Sequence, residues 1–236
     1  MTRLITHAKR TLVAILAVIA TAGLAIAYEV EPMRIILDLG SGRTSTVITI
    51  NNTRDSDLPV EIVMKRRIVH PDGTQEFLPA EDAFSVFPPQ ALVPAGQSQA
   101  VRISYIGNPD LEDSEAFIAE VQEVPVSEPG FTGVVFAYNF GVAIYVRADD
   151  ARADIALSDI SREADGLIFT ASNSGTDFAM LSDMALRLAV GGETVRLTPA
   201  QLAELVENPI IPPHGSREFR LPITGLPDGP LTIAID

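Results

Sequence analysis

The stretch TGVVFAYNFGVAIYVR, Thr132 to Arg147, is nearly continuous apolar sequence and contains no proline. Side chains alternate between the two faces of a β-strand, so its larger apolar residues would share one face. These residues are Val134, Phe136, Tyr138 and Phe140, whereas the opposite face carries Val135, Ala137, Asn139 and Gly141. Strands usually run for about five or six residues, so the pattern predicts an unusually long strand with one face of larger side chains. A central sandwich strand buried on both faces is the alternative that fits the same residues.

The composition of the chain favours an all-β protein. Its 236 residues include 17 prolines and 16 glycines, and this length suits one large or two small domains. The net charge of −14 disfavours a nucleic-acid partner, because phosphate-backbone binding needs clustered lysine and arginine. The chain contains no cysteine, so it must fold on ordinary hydrophobic cores without disulfides.

The N-terminus has the pattern of a secretory signal peptide. Arg3, Lys9 and Arg10 form a positive region, Thr11–Leu24 is apolar, and Ala25-Ile26-Ala27 is a small-residue cleavage site. The apolar run is too short to favour a membrane span, although a retained N-terminal anchor is the alternative. We therefore expect residues 1–27 to be removed from an exported protein.

The remaining sequence predicts two β-sandwiches. Seven short strand-like segments, separated by turn signals, cover residues 28–148, and this spacing is typical of an immunoglobulin-like domain. The polar segment Ala148–Arg152 marks a boundary, and further β-rich segments predict a second, smaller sandwich over residues 152–236. Thr198 and Pro199 predict the start of a short helix that runs to Val206, because threonine caps helices and proline suits the first helical position.

The sequence contains little that indicates catalysis. His70 and His214 follow residue 27, and neither lies in a cluster with metal-ligand spacing, so we expect no metal and no cofactor. Nucleophile-elbow, P-loop and dinucleotide-binding motifs are absent from the sequence, which disfavours an enzyme. The carboxylates Glu112, Asp113 and Glu115 are more typical of a solvated loop.

Arg34 is an isolated cation within the apolar segment Met33–Leu37. Its long stem could pack at the rim of a core while its charged head reaches solvent. The functional interpretation is an anion-binding anchor, because arginine can grip a carboxylate through two parallel hydrogen bonds. The residues alone leave both interpretations open.

Short segments spread along the chain form an ordered set. They are Met33–Ile36, Pro59–Ile62, Ala80–Pro89, Pro94–Arg102, Ser114–Phe117, Gln122–Pro125, Tyr145–Arg147, Asn173–Ala179 and Ile211–Ser216. Each is a weak signal alone, but in this order they resemble the periplasmic chaperones of chaperone–usher pilus assembly. The resemblance covers essentially all of the chain after residue 27.

This resemblance implies two immunoglobulin-like domains, arranged in a boomerang around a subunit-binding cleft. It also implies that the last strand of the first domain is donated to a pilin-like subunit that lacks one strand. By alignment, Val134, Phe136 and Tyr138 occupy the donated positions, and Phe140 extends the row. The resemblance implies that the protein acts in the periplasm, where its partners are pilin-like subunits and an outer-membrane usher. Free chaperone can cover the same strand by self-association.

The resemblance also implies two ionic sites, and the sequence departs from the family pattern at both. Arg34 matches the cleft arginine that anchors the pilin's terminal carboxylate, but the lysine expected beside it falls on Ala143. Arg34 then acts alone, or another arginine such as Arg102 replaces the lysine, or the client docks differently. Arg147 matches one partner of an ion pair between the domains.

The acidic partner of Arg147 aligns with either Ser114 or Glu115, so the ion pair is only half supported by the sequence. The alternative function is an exported two-domain β-sandwich with a structural or adhesive role. Such a module would have no reason to leave Val134, Phe136 and Tyr138 on an accessible face. A pilin subunit is disfavoured because the chain encodes two sandwiches.

Overall fold

The structure is a computed structural model that describes residues 28–126, 136–227 and 229–236. These residues form mainly β-strands, in two sandwiches that follow one another along the chain. The predicted all-β fold of two immunoglobulin-like sandwiches is confirmed. Within the described ranges, no helix has the length and apolar character needed to cross a membrane.

The first sandwich has two sheets. The four-stranded sheet has the order β1 (Glu29–Glu31), β3 (Ser45–Asn51), β8 (Ser98–Tyr105) and β6 (Phe84–Phe87). The six-stranded sheet has the order β2 (Arg34–Asp38), β10 (Asn139–Arg147), β9 (Glu115–Glu123), β4 (Leu58–Val69) and β5 (Gln75–Pro79), and β7 (Gln90–Val93) also pairs with β4. A 3-10 turn, Glu81–Ala83, leads into β6.

The core of the first sandwich follows from alternation along its strands. On β4, Val60, Ile62 and Met64 are buried and the residues between them are not, as expected where one face of a sheet packs inward. Phe84 and Phe117 meet edge to face across the two sheets, with 4.9 Å between ring centroids, a favoured aromatic geometry.

The N-terminal segment changes sheet at Pro32. The strand before it, β1, pairs with β3 in the four-stranded sheet, whereas the strand after it, β2, pairs with β10 in the six-stranded sheet. The β2–β10 pairing is parallel, and it covers only Ala143–Arg147 of β10. This partial coverage determines which part of β10 remains open.

The second sandwich is smaller. Its strands are β11 (Ile155–Glu163), β12 (Gly166–Asn173) and β17 (Ser216–Leu221) in one sheet, β15 (Glu193–Leu197), β14 (Leu186–Val190) and β18 (Leu231–Ile235) in another, and the short pair β13 (Ala179–Met180) and β16 (Ile210–Ile211). Its hydrophobic cluster includes Phe169, Leu188 and Phe219. A 3-10 turn, Leu181–Asp183, follows β13.

The predicted short helix is confirmed as α1 (Pro199–Leu205). The Thr198 side chain accepts a hydrogen bond from the Gln201 backbone N–H, and the Gln201 side chain accepts one from the Thr198 backbone N–H. This reciprocal capping box, with proline at the first helical position, explains why so short a helix begins where it does.

The two sandwiches meet through a small apolar cluster of their own. Tyr145 of β10 packs against Phe178, with 4.5 Å between ring centroids, and Met180 and Ile210 complete the cluster. The turn after β4 also contacts the second sandwich, where the Glu218 N–H donates to the Pro71 carbonyl at 2.8 Å. The segment Ala148–Arg152 joins β10 to the second sandwich.

Candidate functional site

One half of β10 has a strand on only one side. Antiparallel pairing with β9 runs from Asn139 to Val146, whereas β2 pairs only from Ala143 onward. Within the described part of the chain, no strand pairs with the other edge of residues 139–142. Unpaired backbone N–H and C=O groups on such an edge are a template for another strand. We call residues 139–142 the open edge.

The polar backbone groups of Asn139 and Gly141 point outward at the open edge. The Ala143 N–H donates to the Met33 carbonyl on the β2 side at 3.0 Å, and the Tyr138 carbonyl accepts from the Glu123 N–H on the β9 side at 3.2 Å. Backbone groups of an antiparallel strand alternate in direction, so odd-numbered residues of β10 face away from β9. The open edge therefore offers two residues' donors and acceptors for pairing.

Large aromatic side chains precede the open edge and are exposed. Phe136 is 74% exposed and Tyr138 is 41% exposed. Regular strand structure begins at Asn139, so residues 136–138 are not part of the long strand that the sequence predicts. Val134 lies outside the described residues. The accessible apolar face is thus observed at Phe136 and Tyr138.

Phe140 does not continue the exposed row. It is half-buried against the first core, and its ring meets Tyr28 edge to face with 4.7 Å between centroids. It shares a strand face with the buried residues Val142, Ile144 and Val146, because alternate residues point the same way. The prediction that Phe140 extends the donated row is corrected accordingly: this side chain packs within its own sandwich.

Arg54 and Glu123 hold the segment before the open edge. The two guanidinium Nη atoms of Arg54 donate to the two Glu123 carboxylate oxygens at 2.6 and 2.9 Å, a bidentate pair. This hydrogen bonding holds the pKa of Glu123 below its ordinary value. The guanidinium also lies 5.8 Å from the ring centroids of both Tyr28 and Tyr138, within cation–π range.

Tyr28 completes this support from the other side of the chain. Its hydroxyl donates to the Val121 or the Tyr138 carbonyl, which lie at 2.7 and 2.8 Å, and burial raises its pKa well above the ordinary value. The Glu123 carboxylate also accepts from the Tyr138 N–H at 3.1 Å. Sequence reasoning missed this support because its members are distant in sequence.

Arg34 lies at the start of β2, in register with Ala143. Its side chain is half exposed and forms an ion pair with Asp183 of the second sandwich, with 3.3 Å between Nη1 and Oδ1. A pocket between the sandwiches is lined by these residues and by Ile36, Phe178 and Met180. The structure therefore places a cation at the cleft and gives it a carboxylate partner that sequence reasoning did not identify.

Arg102 is not a neighbour of Arg34. It lies on β8 of the four-stranded sheet, in register with Val47 and Phe87, whereas Arg34 belongs to the six-stranded sheet. The suggestion that Arg102 replaces the missing lysine at Ala143 is therefore wrong. Across the sheet, Ala143 is in register with Ile118 of β9, which is in register with Lys65 of β4. Lys65 is already paired with Glu120.

Arg147 forms the ion pair between the sandwiches with Asp177. Its Nε lies 2.8 Å from Asp177 Oδ2, and its guanidinium lies 5.5 Å from the ring centroid of Phe178. Glu115, the partner expected from the sequence, instead pairs with Arg66. Glu115 is in register with Val146, so it shares the face opposite to Arg147 and cannot reach it.

Ser114 also contributes to this junction, but through neutral hydrogen bonds. Its backbone N–H donates to the Thr176 carbonyl at 2.9 Å, and its hydroxyl accepts from the Ala148 N–H at 3.1 Å. Ser114 is therefore a contact between the sandwiches, while Asp177 supplies the charge.

Each of the two histidines in the described part of the chain pairs with one carboxylate. His70 Nε2 lies 3.7 Å from Glu76, and His214 Nε2 lies 2.9 Å from Asp113. Among the residues with described positions, no group of three or more potential metal ligands converges.

Comparison with known proteins places this geometry in a family. The family model that matches residues 27–149 is PapD_N, the N-terminal domain of PapD in pili and flagellar-assembly chaperones. No curated protein matches the chain in sequence. Many solved structures share its fold.

Several of those structures contain chaperones. The E. coli chaperone DraB is 19% identical with a TM-score of 0.53, covering 83% of this chain and 85% of its own. A chain in the Salmonella enterica SafA pilin–SafB chaperone complex is 18% identical with a TM-score of 0.54, covering 85% of this chain and 86% of its own.

A third similar structure comes from Acinetobacter baumannii. It is a chain in the CsuC–CsuE chaperone–tip adhesion subunit pre-assembly complex of archaic chaperone–usher Csu pili. The identity is 13% and the TM-score 0.56, covering 89% of this chain and 98% of that chain. At such identities the likeness establishes the shared two-sandwich fold. Since the family model spans more than half of the sequence, the chain belongs to the pili and flagellar-assembly chaperones.

Proposed function

We propose that this protein binds pilin-like subunits in the periplasm by donating the segment around Phe136 and Tyr138 and the open edge to an incomplete subunit sheet. It then delivers the subunit to an outer-membrane usher. The observation that carries the proposal is the combination of an unpaired strand edge with exposed aromatic side chains directly before it. Strand addition uses these two features, since backbone pairing gives affinity and alternate side chains give specificity.

The exposed aromatic side chains would supply much of the affinity. Fully burying a large apolar side chain is worth about 1.5–3 kcal/mol, so Phe136 and Tyr138 are suited to filling a subunit groove. The bidentate Arg54–Glu123 pair and the Tyr28 hydrogen bonds position Tyr138. Such support lowers the ordering cost of the donated segment when a client binds.

Arg34 would anchor a client carboxylate at the inner end of the groove. Its position on the cleft side of β2 and its existing carboxylate partner, Asp183, support this role. Because Ala143 supplies no second cation, we infer that Arg34 acts without the lysine that the family pattern provides. A client carboxylate would then take the place of Asp183 on Arg34.

We infer that the protein is exported and acts outside the cytoplasm. The signal-peptide pattern of residues 1–27 supports removal of that segment and release of the mature chain into the periplasm. In the absence of a client, a second copy of the chain can bind the open edge, and this self-association competes with client binding. The alternative of a structural or adhesive exported sandwich would leave the exposed aromatic side chains without a purpose.

The test is co-expression with exported candidate subunits, followed by pull-down from the periplasmic fraction and by denaturant unfolding of each variant. We expect Phe136→Asp to weaken subunit capture by about 100-fold, since a central aromatic anchor is typically worth ~2–4 kcal/mol. The unfolding free energy should change by less than about 0.5 kcal/mol, because Phe136 is exposed.

Phe87→Asp is the matched control. Phe87 is also 74% exposed, but it lies on β6 in the other sheet, so its replacement should leave capture unchanged. Equal loss with both variants would indicate a general effect of surface charge. Unfolding of the isolated Phe136→Asp protein would mean that Phe136 belongs to the core, and the proposed binding face would be wrong.

A further inference from the structure

Two arginines of the first sandwich line one pocket at the junction with the second sandwich. The pocket beside Arg34 and Asp183 has a volume of about 280 Å³, and Arg147 also contributes to its wall. This volume corresponds to roughly nine water molecules at ~30 Å³ each. The pocket therefore has room for a ligand that contacts both guanidinium groups.

The two arginines project from the same face of the six-stranded sheet. Arg34 of β2 is in register with Ala143 of β10, and Arg147 follows Ala143 on β10 after an odd number of intervening residues. Alternate residues of a strand share a face, so Arg147 points to the same side as Ala143 and Arg34. That side faces the second sandwich, because Tyr145 between them packs on Phe178.

Arg147 retains free hydrogen-bond donors although it forms an ion pair. Its Nε lies 2.8 Å from Asp177 Oδ2, but the N–H is not aimed at the carboxylate, so the contact is ionic. Among the described residues, none accepts a hydrogen bond from either Nη group. Asp177 is not part of the pocket wall. The guanidinium therefore has its carboxylate partner on one side and the pocket on another.

The rest of the pocket wall is apolar. It consists of Ile36, Phe178, Ala179, Met180 and Met184. Methionine side chains are flexible and polarisable, so they can pack against apolar groups of different shapes. A ligand that uses both parts of the pocket must carry an apolar group directly beside a carboxylate.

The C-terminal residue of a polypeptide has this chemistry when its side chain is apolar. Its main-chain carboxylate and its side chain leave the same Cα atom, whereas the carboxylate of an internal aspartate or glutamate has no apolar group beside it. Asp183 on the pocket wall also disfavours a ligand with a second negative charge. The pocket is therefore better suited to a chain terminus than to an internal acidic residue.

We propose that Arg147 is the second cation of the client anchor. The carboxylate of the client's last residue displaces Asp183 and bridges Arg34 and the Nη groups of Arg147, while its apolar side chain packs on Met180 and Met184. This inference rests on the proposed function, because it takes the client carboxylate on Arg34 to be a chain terminus. It makes the last side chain of the client a determinant of binding.

The test uses the mature protein with ¹³C-labelled methionine methyl groups and three short peptides as probes. Acetyl-Gly-Gly-Leu carries both features, its C-terminal amide lacks the carboxylate, and acetyl-Gly-Gly-Glu-amide has only a side-chain carboxylate. We expect the first peptide to shift the methyl signals of Met180 and Met184, with a dissociation constant on the order of 1 mM. The other two should bind at least about tenfold more weakly.

Met64 is the internal reference, because it is buried in the core of the first sandwich and its methyl signal should not move. The proposal is overturned if Met180 and Met184 do not respond to about 20 mM acetyl-Gly-Gly-Leu. It is also overturned if the three peptides bind equally well.

Arg147→Gln and Asp177→Asn separate carboxylate binding from a purely structural role of the ion pair. Both variants break the pair, but only the first removes the cation. We expect Arg147→Gln to weaken binding of acetyl-Gly-Gly-Leu by about tenfold, whereas Asp177→Asn should stay within about threefold of wild type. Equal loss with both variants would mean that the ion pair only shapes the junction, and the proposed role of Arg147 would be wrong.

Met184→Glu tests the pocket even if Arg147→Gln fails to fold. It places a negative charge in the apolar wall and should abolish binding of acetyl-Gly-Gly-Leu. Val195→Glu is the control, because Val195 is an exposed residue of β15 in the same sandwich and is not part of the wall. Unchanged peptide binding in Met184→Glu would show that the client's side chain does not enter this pocket.

The peptides contain no sheet that could accept a donated strand, so they test the anchor separately from strand donation. If they fail to bind while subunit capture still depends on Phe136, the role of Arg147 is wrong and the proposed function stands. If they bind through Arg147 while Phe136→Asp leaves capture intact, the anchor is supported and strand donation is wrong.

Discussion

At the scale of single residues, the contact between Arg34 and Asp183 is the one most relevant to clients. Each side chain is at least half exposed, and the atoms are 3.3 Å apart. Exposed ion pairs of this kind are worth about 0–1 kcal/mol, so a competing carboxylate can replace Asp183 at little cost. The pair keeps Arg34 near the cleft and leaves it able to bind another carboxylate.

We expect Asp183→Asn to tighten subunit binding by about 2–5-fold, because Arg34 no longer has to leave a carboxylate, a change of up to ~1 kcal/mol. Arg34→Ala should weaken it by about tenfold or more while leaving the protein folded. Dissociation constants for a purified subunit measure both effects. Asp165→Asn, which removes another exposed carboxylate of the second sandwich, is the control. If Asp183→Asn weakens binding as Arg34→Ala does, then Asp183 positions the arginine instead of competing for it.

Glu123 gives a pH dependence whose sign can be worked out. Its hydrogen bonds from Arg54 hold its pKa in the folded protein below the unfolded value, which is about 4.3 for glutamate. The resulting stabilisation is complete above the unfolded pKa and is lost as pH falls through the folded pKa. We expect wild type to lose more unfolding free energy than Glu123→Gln between about pH 5 and pH 3. Parallel curves from denaturant titrations would contradict this.

Among these residues, Arg34 was recognisable from sequence and its partner was not. An isolated cation in an apolar segment is a local signal. Asp183 is one of many acidic residues in an acidic chain, and only the packing of the two sandwiches brings it to Arg34. The same holds for Arg54 and Glu123, whose pairing across the first sandwich has no local signature.

At the scale of elements, the two halves of β10 differ in how many neighbouring strands they pair with. Its C-terminal half is covered by β2 and contacts the second sandwich, whereas the open edge pairs only with β9. The apolar alternation of residues 132–147 predicts a strand but does not show where it enters its own sheet. The strand joins the sheet at Asn139, so Phe140 packs on Tyr28 while Phe136 and Tyr138 are exposed. The extent of the open edge depends on the partial parallel pairing of β10 with β2.

We expect Asn139→Pro to weaken subunit binding strongly, by about tenfold or more, with little effect on stability. The Asn139 N–H points toward the open edge, so proline removes a donor that only a client strand would use. Tyr138 must then stay extended, as in a strand. Binding and unfolding are measured on the same preparations.

Asn139→Ala is the control for Asn139→Pro, because it removes the side chain and keeps the N–H. If alanine is as harmful as proline, the Asn139 side chain carries the effect. If proline binds normally, the donated strand does not pair along this edge, and strand addition through β10 would have to be abandoned.

At the scale of the whole molecule, the relative position of the sandwiches rests on a few polar contacts around a small apolar cluster. The regular turn spacing was sufficient to predict two sandwiches, since each is built from local strand and turn signals. Their junction was predicted less well. Arg147 pairs with Asp177 instead of Glu115, because strand register turns Glu115 to the opposite face.

Asp177→Asn tests the importance of this junction. Asp177 Oδ1 accepts from the Phe178 N–H at 3.0 Å, and asparagine can keep that bond, so the variant removes mainly the charge facing Arg147. Asp177 is nearly buried, and we expect the unfolding free energy to fall by about 1–3 kcal/mol. Small-angle scattering should show a broader distribution of sandwich orientations, since contacts between domains of one chain are otherwise modest.

Asp165→Asn, at an exposed pair within the second sandwich, should change neither quantity. Unchanged stability and scattering in Asp177→Asn would mean that the apolar cluster of Tyr145, Phe178, Met180 and Ile210 holds the sandwiches together without help from the ion pair.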